Sequence, residues 1–404
     1  MTSVNTSGGF QSNKALISIV SVLLSITFAV RASNNMFVTS VPILSREIFL
    51  FSNVNVGVLV SISSIATFLS STFINAKLQS NSRRKAMIIS SGIYAAIFPL
   101  FAISSPISIW IVLPVATFTL GITMPNIITS ASLFKDRRLR ERILSIYTLT
   151  LSLSLIAGPF IESEILNLIS LQESFLVFSI FPAIAFIDSL FLKFPTETKR
   201  KIKGAFDFSI IKERGFVIAL LNIIGYNVPF AFLTTYGGLY GIHDFNESYS
   251  LVNLTFASFF ATSFISRLFF SWKVPQFLKG LMIWSVVMSS IGLAVIGFAN
   301  SYLMLLIAFL ILGIPHGLTY PLSVMTITRS FEEDRRNLAN SYFFSILMLI
   351  GAAMPFISGE VIFLVGYREG FLLIIPVILI ILVALTRVLL KEDHMVEPVI
   401  QIMD

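Results

Sequence analysis

The sequence contains no cysteine and few charged residues. Of its 404 residues, 12% are charged, three are histidine and none is cysteine. Without cysteine, the chain forms neither disulfide bonds nor thiolate-ligated metal sites. The sequence also lacks the G-x-x-x-x-G-K-[ST] loop that cradles nucleotide phosphates and the H-E-x-x-H motif of zinc hydrolases. We therefore expect no metal, no cofactor and no enzymatic activity.

Hydrophobic residues make up 55% of the chain, and the charges cluster in short runs between apolar stretches. These stretches are roughly 18 to 30 residues long, enough to cross a hydrocarbon core about 30 Å thick. They predict twelve transmembrane helices, over residues 14–44, 55–78, 86–103, 107–134, 143–165, 174–192, 215–240, 249–272, 281–298, 302–328, 339–365 and 370–390.

The second half of the chain repeats the first. The letters "LGITMP … DRR … AGPFIESE" at 120–164 return as "LGIPHGLTYP … DRR … AMPFISGE" at 312–360. Pro125 and Pro159 thereby find counterparts in Pro321 and Pro355, each 196 residues later. Duplicated membrane bundles are typical of transporters.

The repeat predicts an all-α polytopic membrane protein built from two pseudo-symmetric six-helix bundles. Four regions follow: a first bundle over 1–193, a basic cytoplasmic linker over 194–214, a second bundle over 215–390 and a cytoplasmic tail over 391–404.

The lysines and arginines predict the orientation in the membrane. If both termini are cytoplasmic, the outer loops hold only Arg46 and Arg368, as the positive-inside rule requires. The net charge of +7 is then a topology signal, so we expect no nucleic-acid partner. We expect no cleavable signal peptide, because the first apolar stretch is too long. These features favour a multi-pass protein of the plasma membrane.

Two six-helix halves joined by a basic linker resemble the major facilitator superfamily over nearly the whole chain. The segment "NAKLQSNSRRK" at 75–85 is similar to the family's G-x-x-x-D-(R/K)-x-G-R-(K/R) loop between the second and third helices. Arg83 and Arg84 match its basic end, whereas Gln79 replaces the acid that holds the inner gate shut in the family. The resemblance implies a secondary transporter that works by alternating access.

Two Asp-Arg-Arg triplets resemble the charged elements that follow the fourth and tenth helices in the family. Because Gln79 replaces the usual acid, we expect the cytoplasmic gate to rely on Asp136 and Asp334. The predicted gate residues are Arg83, Arg84, Asp136, Arg137, Arg138, Asp334, Arg335 and Arg336. Gly158-Pro159 matches a fragment of the family's antiporter signature, although a simple proline kink is the preferred explanation.

Polar side chains deep in a membrane are costly and therefore point to function. Arg31 lies roughly 20 Å of helix from either end of its apolar stretch at about 1.5 Å per residue, too far to reach the surface easily. His316 lies near the middle of the tenth stretch. In the resemblance, the first, fourth, seventh and tenth helices line a central cavity. The predicted substrate-binding residues on these helices are Arg31, Asn34, Asn35, Asn126, Asn222, Tyr226, Asn227, His316 and Tyr320.

Arg31 and His316, without a deep carboxylate on these helices, favour an anionic or carboxylate-bearing organic solute. Histidine ordinarily changes charge between pH 5 and 8, so His316 is also the predicted proton carrier. A buried neutral histidine is the alternative for His316, and the asparagines and tyrosines could instead hold helices together.

Two other functions remain open from the sequence. A multidrug-type exporter of lipophilic compounds would share the fold, and some of the 39 phenylalanines could line its pocket. A non-transporting membrane sensor is the alternative of a different class. The expected partners are a small-molecule substrate, protons and membrane lipid, and the expected state is a monomer.

Overall fold

The computed structural model of the chain describes residues 8–75, 78, 80–132, 137–192, 209–272 and 278–390. Within these ranges the chain is helical and contains no strand. The α-helices are α1 Gly8–Thr39, α2 Val41–Ile43, α3 Asn53–Leu69, α4 Ser80–Ile97, α5 Ile109–Ser132, α6 Arg137–Leu166, α7 Leu171–Phe178, α8 Ile180–Phe191, α9 Ser209–Lys212, α10 Arg214–Phe232, α11 Gly238–Phe245, α12 Tyr249–Trp272, α13 Leu278–Gly297, α14 Tyr302–Ser330, α15 Glu333–Val365 and α16 Tyr367–Leu390.

Twelve helical segments are long and apolar enough to cross a membrane, which confirms the predicted number of spans. Several spans contain a change of helix type. The first span continues from α2 into a π-helix at Leu44–Ile48, and the seventh joins α10 to α11 through a π-helix at Leu233–Gly237. Further irregular turns extend α3 as a π-helix at Ser70–Ile74 and α4 as a 3₁₀-helix at Phe98–Ile103. Single π-helical turns often mark functional positions within membrane helices.

Contacts between residues divide the chain into two compact units. The first comprises Met1–Phe37 and Ser63–Arg200, and the second comprises Val38–Ile62 and Lys201–Asp404. The segment Val38–Ile62, which holds the end of the first span and the start of the second, therefore packs as part of the second unit.

In the first unit, α3 and α5 approach each other at backbone distance. A side chain on Gly121 of α5 would collide with Ser70 and with the carbonyl of Thr67. Two hydroxyls bond across the same contact: Thr67 Oγ1 donates to the Thr117 carbonyl (3.0 Å) and Thr117 Oγ1 to the Ser63 carbonyl (3.0 Å). Small residues allow such close packing where the lipid supplies no hydrophobic force between helices.

The second unit repeats this contact between α12 and α14. Gly317 lies 196 residues after Gly121, and a side chain there would collide with the carbonyl of Ser263 and with Ser266, which lie 196 residues after Thr67 and Ser70. Gly121 and Gly317 therefore perform the same packing task in the two halves. One turn before Gly317, a side chain on Gly313 would also collide, with Thr262 and with the carbonyl of Phe259.

A pair of hydrogen-bonded hydroxyls also recurs. Ser90 of α4 and Thr123 of α5 lie 2.9 Å apart, and Ser285 of α13 and Thr319 of α14, 195 and 196 residues later, also lie 2.9 Å apart. The repeated prolines lie in corresponding helices, in α5 and α14 and in α6 and α15. The internal repeat therefore extends from sequence letters to specific contacts.

We expect Gly121→Ala and Gly313→Ala each to lower the melting temperature of the detergent-solubilised protein by several degrees, because overpacking costs about 1–3 kcal/mol. Gly351→Ala in α15 is the matched control, since a Cβ there meets nothing within 4 Å. Alanine favours a helix over glycine by about 1 kcal/mol, so the control should not lower the melting temperature. Equal melting temperatures for all three variants would contradict the close helix contacts.

Candidate functional site

Arg31 lies near the middle of the first span, on the partly exposed side of α1. The adjoining side is packed: Tyr94 donates its hydroxyl to Ser33 Oγ (2.9 Å), and the backbone of Ala32 lies against Gly158. Arg31 makes no hydrogen bond or ion pair with any residue in the described ranges. A guanidinium carries five N–H donors, so Arg31 presents strong, unused donors at mid-membrane depth.

The other predicted polar residues of the first unit differ in exposure. Asn34, one turn from Arg31, is partly exposed, whereas Asn35 and Asn126 are buried. Asn126 donates its side-chain amide to the Ile122 carbonyl (2.9 Å) of its own helix. Arg31 and Asn34 therefore form the accessible polar pair on α1.

In the second unit, Asn222 joins α10 to α14. Its side-chain amide donates to the Thr319 carbonyl (3.1 Å) and to Ser323 Oγ (2.9 Å), and the residue is fully buried. A buried amide bonded to a neighbouring helix is the packing role that the sequence left open as the alternative.

One turn further along, His316 of α14 lies among aromatic rings, which we name the His316 ring cluster. His316 stacks on Phe230, with ring centroids 4.6 Å apart and an angle of 21° between the planes. The rings of Phe259, Tyr226 and Phe260 lie 5.2, 5.4 and 5.8 Å from the imidazole. No described residue hydrogen-bonds to His316 Nδ1 or to the Tyr226 hydroxyl. The cluster thus combines stacked rings with two polar atoms that have hydrogen-bonding capacity left.

Arg267 of α12 adds a positive charge to this region. It is close enough to act electrostatically on Tyr226, His316 and Tyr320. Tyr320 itself is 39% exposed and lies near Phe344 of α15. The sequence analysis did not include Arg267, because it lies close to the end of its span.

Asn227 is partly exposed on α10 and bonds to no residue of the described chain. It stands next to Tyr226, which is 3% exposed. The predicted residues of the seventh span therefore divide into one accessible amide and two buried side chains.

The predicted cytoplasmic gate is only partly described. Asp136 lies outside the described residues, as do the side chains of Arg137, Arg138 and Asp334. Arg83 donates to the Leu78 carbonyl (3.0 Å) and Arg84 to the Leu190 carbonyl (3.3 Å).

The arginines that follow α14 bond within the second unit. Arg335 pairs with Glu213 (3.2 Å) and donates to Ser209 Oγ (2.8 Å), and Arg336 donates to the Phe331 carbonyl (3.1 Å). The gate itself stays a prediction.

The second unit contains a second polar contact, which sequence analysis missed and which we name the Tyr236 junction. It consists of Tyr236 in the π-helix of the seventh span, Asn53 and Gly57 of α3, and Pro355 and Gly359 of α15. The Tyr236 hydroxyl lies 2.8 Å from the Asn53 carbonyl and 3.2 Å from the Pro355 carbonyl, and the ring is fully buried.

Glycine makes the Tyr236 junction possible. A side chain on Gly57 would collide with the Pro355 carbonyl, and one on Gly359 would lie 2.6 Å from the Tyr236 hydroxyl and 2.7 Å from the Asn53 carbonyl. Two glycines facing each other across a helix crossing are a recognisable packing signal in membrane helices.

Four more polar contacts join Val38–Ile62 to the rest of the second unit. Ser61 accepts from the Phe356 amide (3.1 Å), Tyr367 donates to Asn53 Oδ1 (3.0 Å), Asn253 donates to Ser40 Oγ (3.4 Å), and His243 Nε2 lies 2.8 Å from Glu47 Oε1. Leu50 in this segment adopts the left-handed conformation, with φ 57°, which costs roughly 1–2 kcal/mol.

The family model described as Major Facilitator Superfamily matches residues 23–273 and 242–400. Among curated proteins, none matches the sequence significantly.

Solved structures share the fold at low sequence identity. The nucleoside transporter NupG aligns with a TM-score of 0.73 and 14% identity over 92% of this chain and 99% of its own. A POT family transporter in complex with a thioalcohol-conjugated peptide aligns with a TM-score of 0.73 and 12% sequence identity, over 93% of this chain and 99% of its own. A bacterial homologue of the human lysosomal transporter Spinster, inward-facing and unoccupied, aligns with a TM-score of 0.68 and 14% sequence identity, over 94% of this chain and 98% of its own.

A family model that spans most of the chain and a twelve-helix fold shared with solved transporters lead to one conclusion: the chain belongs to the Major Facilitator Superfamily and transports a solute across a membrane.

Proposed function

We propose that this transporter moves a small organic anion, such as a carboxylate, by alternating access and couples its movement to protons through His316. Its membrane is the plasma membrane, with both termini in the cytoplasm, and its working unit is a monomer in contact with lipid. The observation that carries the anionic substrate is Arg31, a partly exposed cation at mid-membrane depth that has no partner among the described residues.

The charge balance of the spans supports an anion. The first, fourth, seventh and tenth spans contain two acidic residues, Glu47 and Asp244, and both stand at span ends. The middle of these spans carries Arg31 and His316 instead. Because an unpaired guanidinium is costly in hydrocarbon, Arg31 is best accommodated beside water or an anionic ligand. Guanidinium and carboxylate form strong paired hydrogen bonds.

His316 suits the role of proton carrier because its ring is partly exposed, while its buried Nδ1 has no hydrogen-bond partner in the described part of the chain. The groups facing it from neighbouring helices are Arg267 and Tyr226, and Tyr320 follows on its own helix. A bound anion attracts a proton to the imidazole, and the resulting imidazolium attracts the anion. The two binding reactions therefore favour each other.

The Tyr236 junction supports alternating access. In the proposed orientation it lies on the outer side, where it joins the start of the second span to the seventh and eleventh spans. Opening a path to the outside requires these contacts to separate and closing it requires them to form again. A network of single hydrogen bonds around small residues is suited to such reversible contact.

A multidrug-type exporter is the second candidate, and the phenylalanines around His316 favour it. Competition experiments separate the two functions. Carboxylates should displace the substrate of an anion transporter, whereas lipophilic cations should displace that of a multidrug exporter.

Arg31→Gln should weaken carboxylate binding and uptake by about tenfold or more, because hydrogen bonds to a charged group are lost. Arg31→Lys should lie between this variant and the unmodified protein, since lysine keeps the charge without the paired geometry. The control is Arg387→Gln, an exposed residue in the last turn of α16. The measurement is uptake into proteoliposomes together with thermal shift across a carboxylate panel. Unchanged uptake in Arg31→Gln would remove the anionic assignment.

His316→Gln should leave substrate exchange between equal concentrations largely intact and abolish accumulation driven by a pH gradient, because glutamine fills similar space but carries no proton between pH 5 and 8. Both modes are measured in the same proteoliposome preparation, so exchange serves as the internal control. If accumulation persists, the carrier is another group, and Glu162, fully buried in α6, is the first to test.

Tyr236→Phe should raise the population of the state in which the Tyr236 junction is open by about fivefold, since a buried hydrogen bond contributes about 1 kcal/mol. The chain has no cysteine, so Val56→Cys, at a fully buried position in α3, provides a single reporter. Its rate of reaction with a bulky maleimide in detergent measures opening.

Tyr302→Phe is the matched control, because the Tyr302 hydroxyl donates to the Leu251 carbonyl (3.0 Å) and joins α14 to α12 without contacting Val38–Ile62. It should leave the labelling rate unchanged. Equal labelling in Tyr236→Phe and the unmodified protein would show that opening occurs elsewhere.

A further inference from the structure

Three rings of the His316 ring cluster lie nearly parallel to Phe230, although His316 itself is tilted by 47° from Tyr226 and by 38° from Phe259. Phe230 lies nearly parallel to His316 (21°), to Phe259 (17°) and to Tyr226 (28°), with centroids 4.6, 6.0 and 5.7 Å apart. Aromatic rings prefer offset-stacked or edge-to-face contacts at centroid distances of about 4.5–7 Å. Phe260 stands at 69° to the imidazole and forms an edge-on wall.

Exposure within the cluster is confined to one stacked pair. Tyr226, Phe259 and Phe260 are buried, whereas Phe230 and His316 are partly exposed. The accessible surface therefore consists of two parallel ring systems. A flat molecule can extend this stack on the outer face of one ring, whereas a puckered aliphatic ring makes a poorer contact with that face.

Polar atoms stand beside the stack. The hydroxyl of Tyr226, a residue only 3% exposed, and Nδ1 of His316 have no hydrogen-bond partner among the described residues. A buried polar group left without a partner costs about 1–3 kcal/mol. Both atoms are buried in this conformation, so the exposed ring surfaces, and not these two atoms, offer the contact for a ligand.

Arg267 argues against a cationic ligand at this place. Aromatic faces attract cations, which would otherwise make a lipophilic ammonium compound the natural ligand. The positive charge of Arg267, however, acts on both Tyr226 and His316. The local electrostatics thus favour a neutral ring or an anionic ligand.

We propose that the second unit recognises a flat unsaturated ring, and that the substrate is an aromatic or heteroaromatic carboxylate whose ring extends the stack that Phe230 and His316 form. The carboxylate rests on the proposed function, and the ring rests on the His316 ring cluster alone. The two parts therefore fail separately.

Benzoate and cyclohexanecarboxylate test the ring, because they have the same charge and number of carbon atoms and differ in planarity and π-electrons. Benzamide and cyclohexanecarboxamide form the corresponding uncharged pair. Binding of all four to the purified full-length protein is measured by calorimetry. Benzoate should bind about two- to tenfold more tightly than cyclohexanecarboxylate, as one stacking contact allows.

Phe230→Leu should reduce this preference to near one while leaving the affinity for cyclohexanecarboxylate unchanged, because leucine keeps an apolar surface without a ring. Phe363→Leu, at an exposed position of α15, is the matched control and should keep the full preference. Melting temperatures of both variants show whether the fold is retained. A conservative Phe230→Tyr variant, which retains the ring, should keep the preference if Phe230→Leu proves unstable.

Each outcome has one meaning. Equal affinity for benzoate and cyclohexanecarboxylate overturns the ring proposal and leaves the anion proposal standing. Binding of benzamide but of neither carboxylate, with loss in Phe230→Leu, supports the ring and overturns the anion. Absence of binding by all four compounds counts against both. A preference that survives in Phe230→Leu places ring recognition elsewhere and overturns this site.

Discussion

Every polar group of this protein that lies in hydrocarbon must find its partner within the protein, because lipid chains offer no hydrogen bonds. The chain meets this constraint with hydroxyls that bond to the preceding turn of their own helix, as Thr27 does to the Leu23 carbonyl and Ser33 to the Ala29 carbonyl. Serine and threonine side chains that bond to their own helix project little from its surface, so neighbouring helices can approach closely. Close contacts such as the one at Gly121 depend on side chains of this small size.

The number and order of the spans could be predicted from sequence, because the length of an apolar stretch is a local property and the thickness of the bilayer sets the length required. The repeat was equally visible, since Pro125 and Pro159 both recur 196 residues later. The Tyr236 junction could not be predicted, because it joins α3 to residues about 180 and 300 positions away and depends on backbone carbonyls, which every residue possesses. Gly57 and Gly359 were its only signal in the sequence.

The depth of Arg31 and His316 followed from counting residues along apolar stretches, and the structure places both near the middle of their spans. Whether they meet in one cavity, as the sequence analysis expects, stays a prediction. Counting failed for Arg267, because a long flexible side chain acts several ångströms from its own Cα. It failed for Phe230 as well, since nothing distinguishes one stacked phenylalanine among 39 in a sequence. The roles of Arg267 and Phe230 depend on which residues of other helices lie beside them, and these contacts form only in the tertiary structure.

The paired hydroxyls of α4 with α5 and of α13 with α14 show that the two halves share a framework, but the halves do not share their ionisable groups. The interval that relates Thr123 to Thr319 relates His316 to Leu120 and Arg31 to Asn227. The half with Arg31 thus lacks a counterpart of His316, and the half with His316 lacks a counterpart of Arg31. Because the halves differ in this way, the loaded and the empty carrier need not reorient at equal rates. Such a difference alters the kinetics of influx and efflux, whereas the gradients set the direction of net transport.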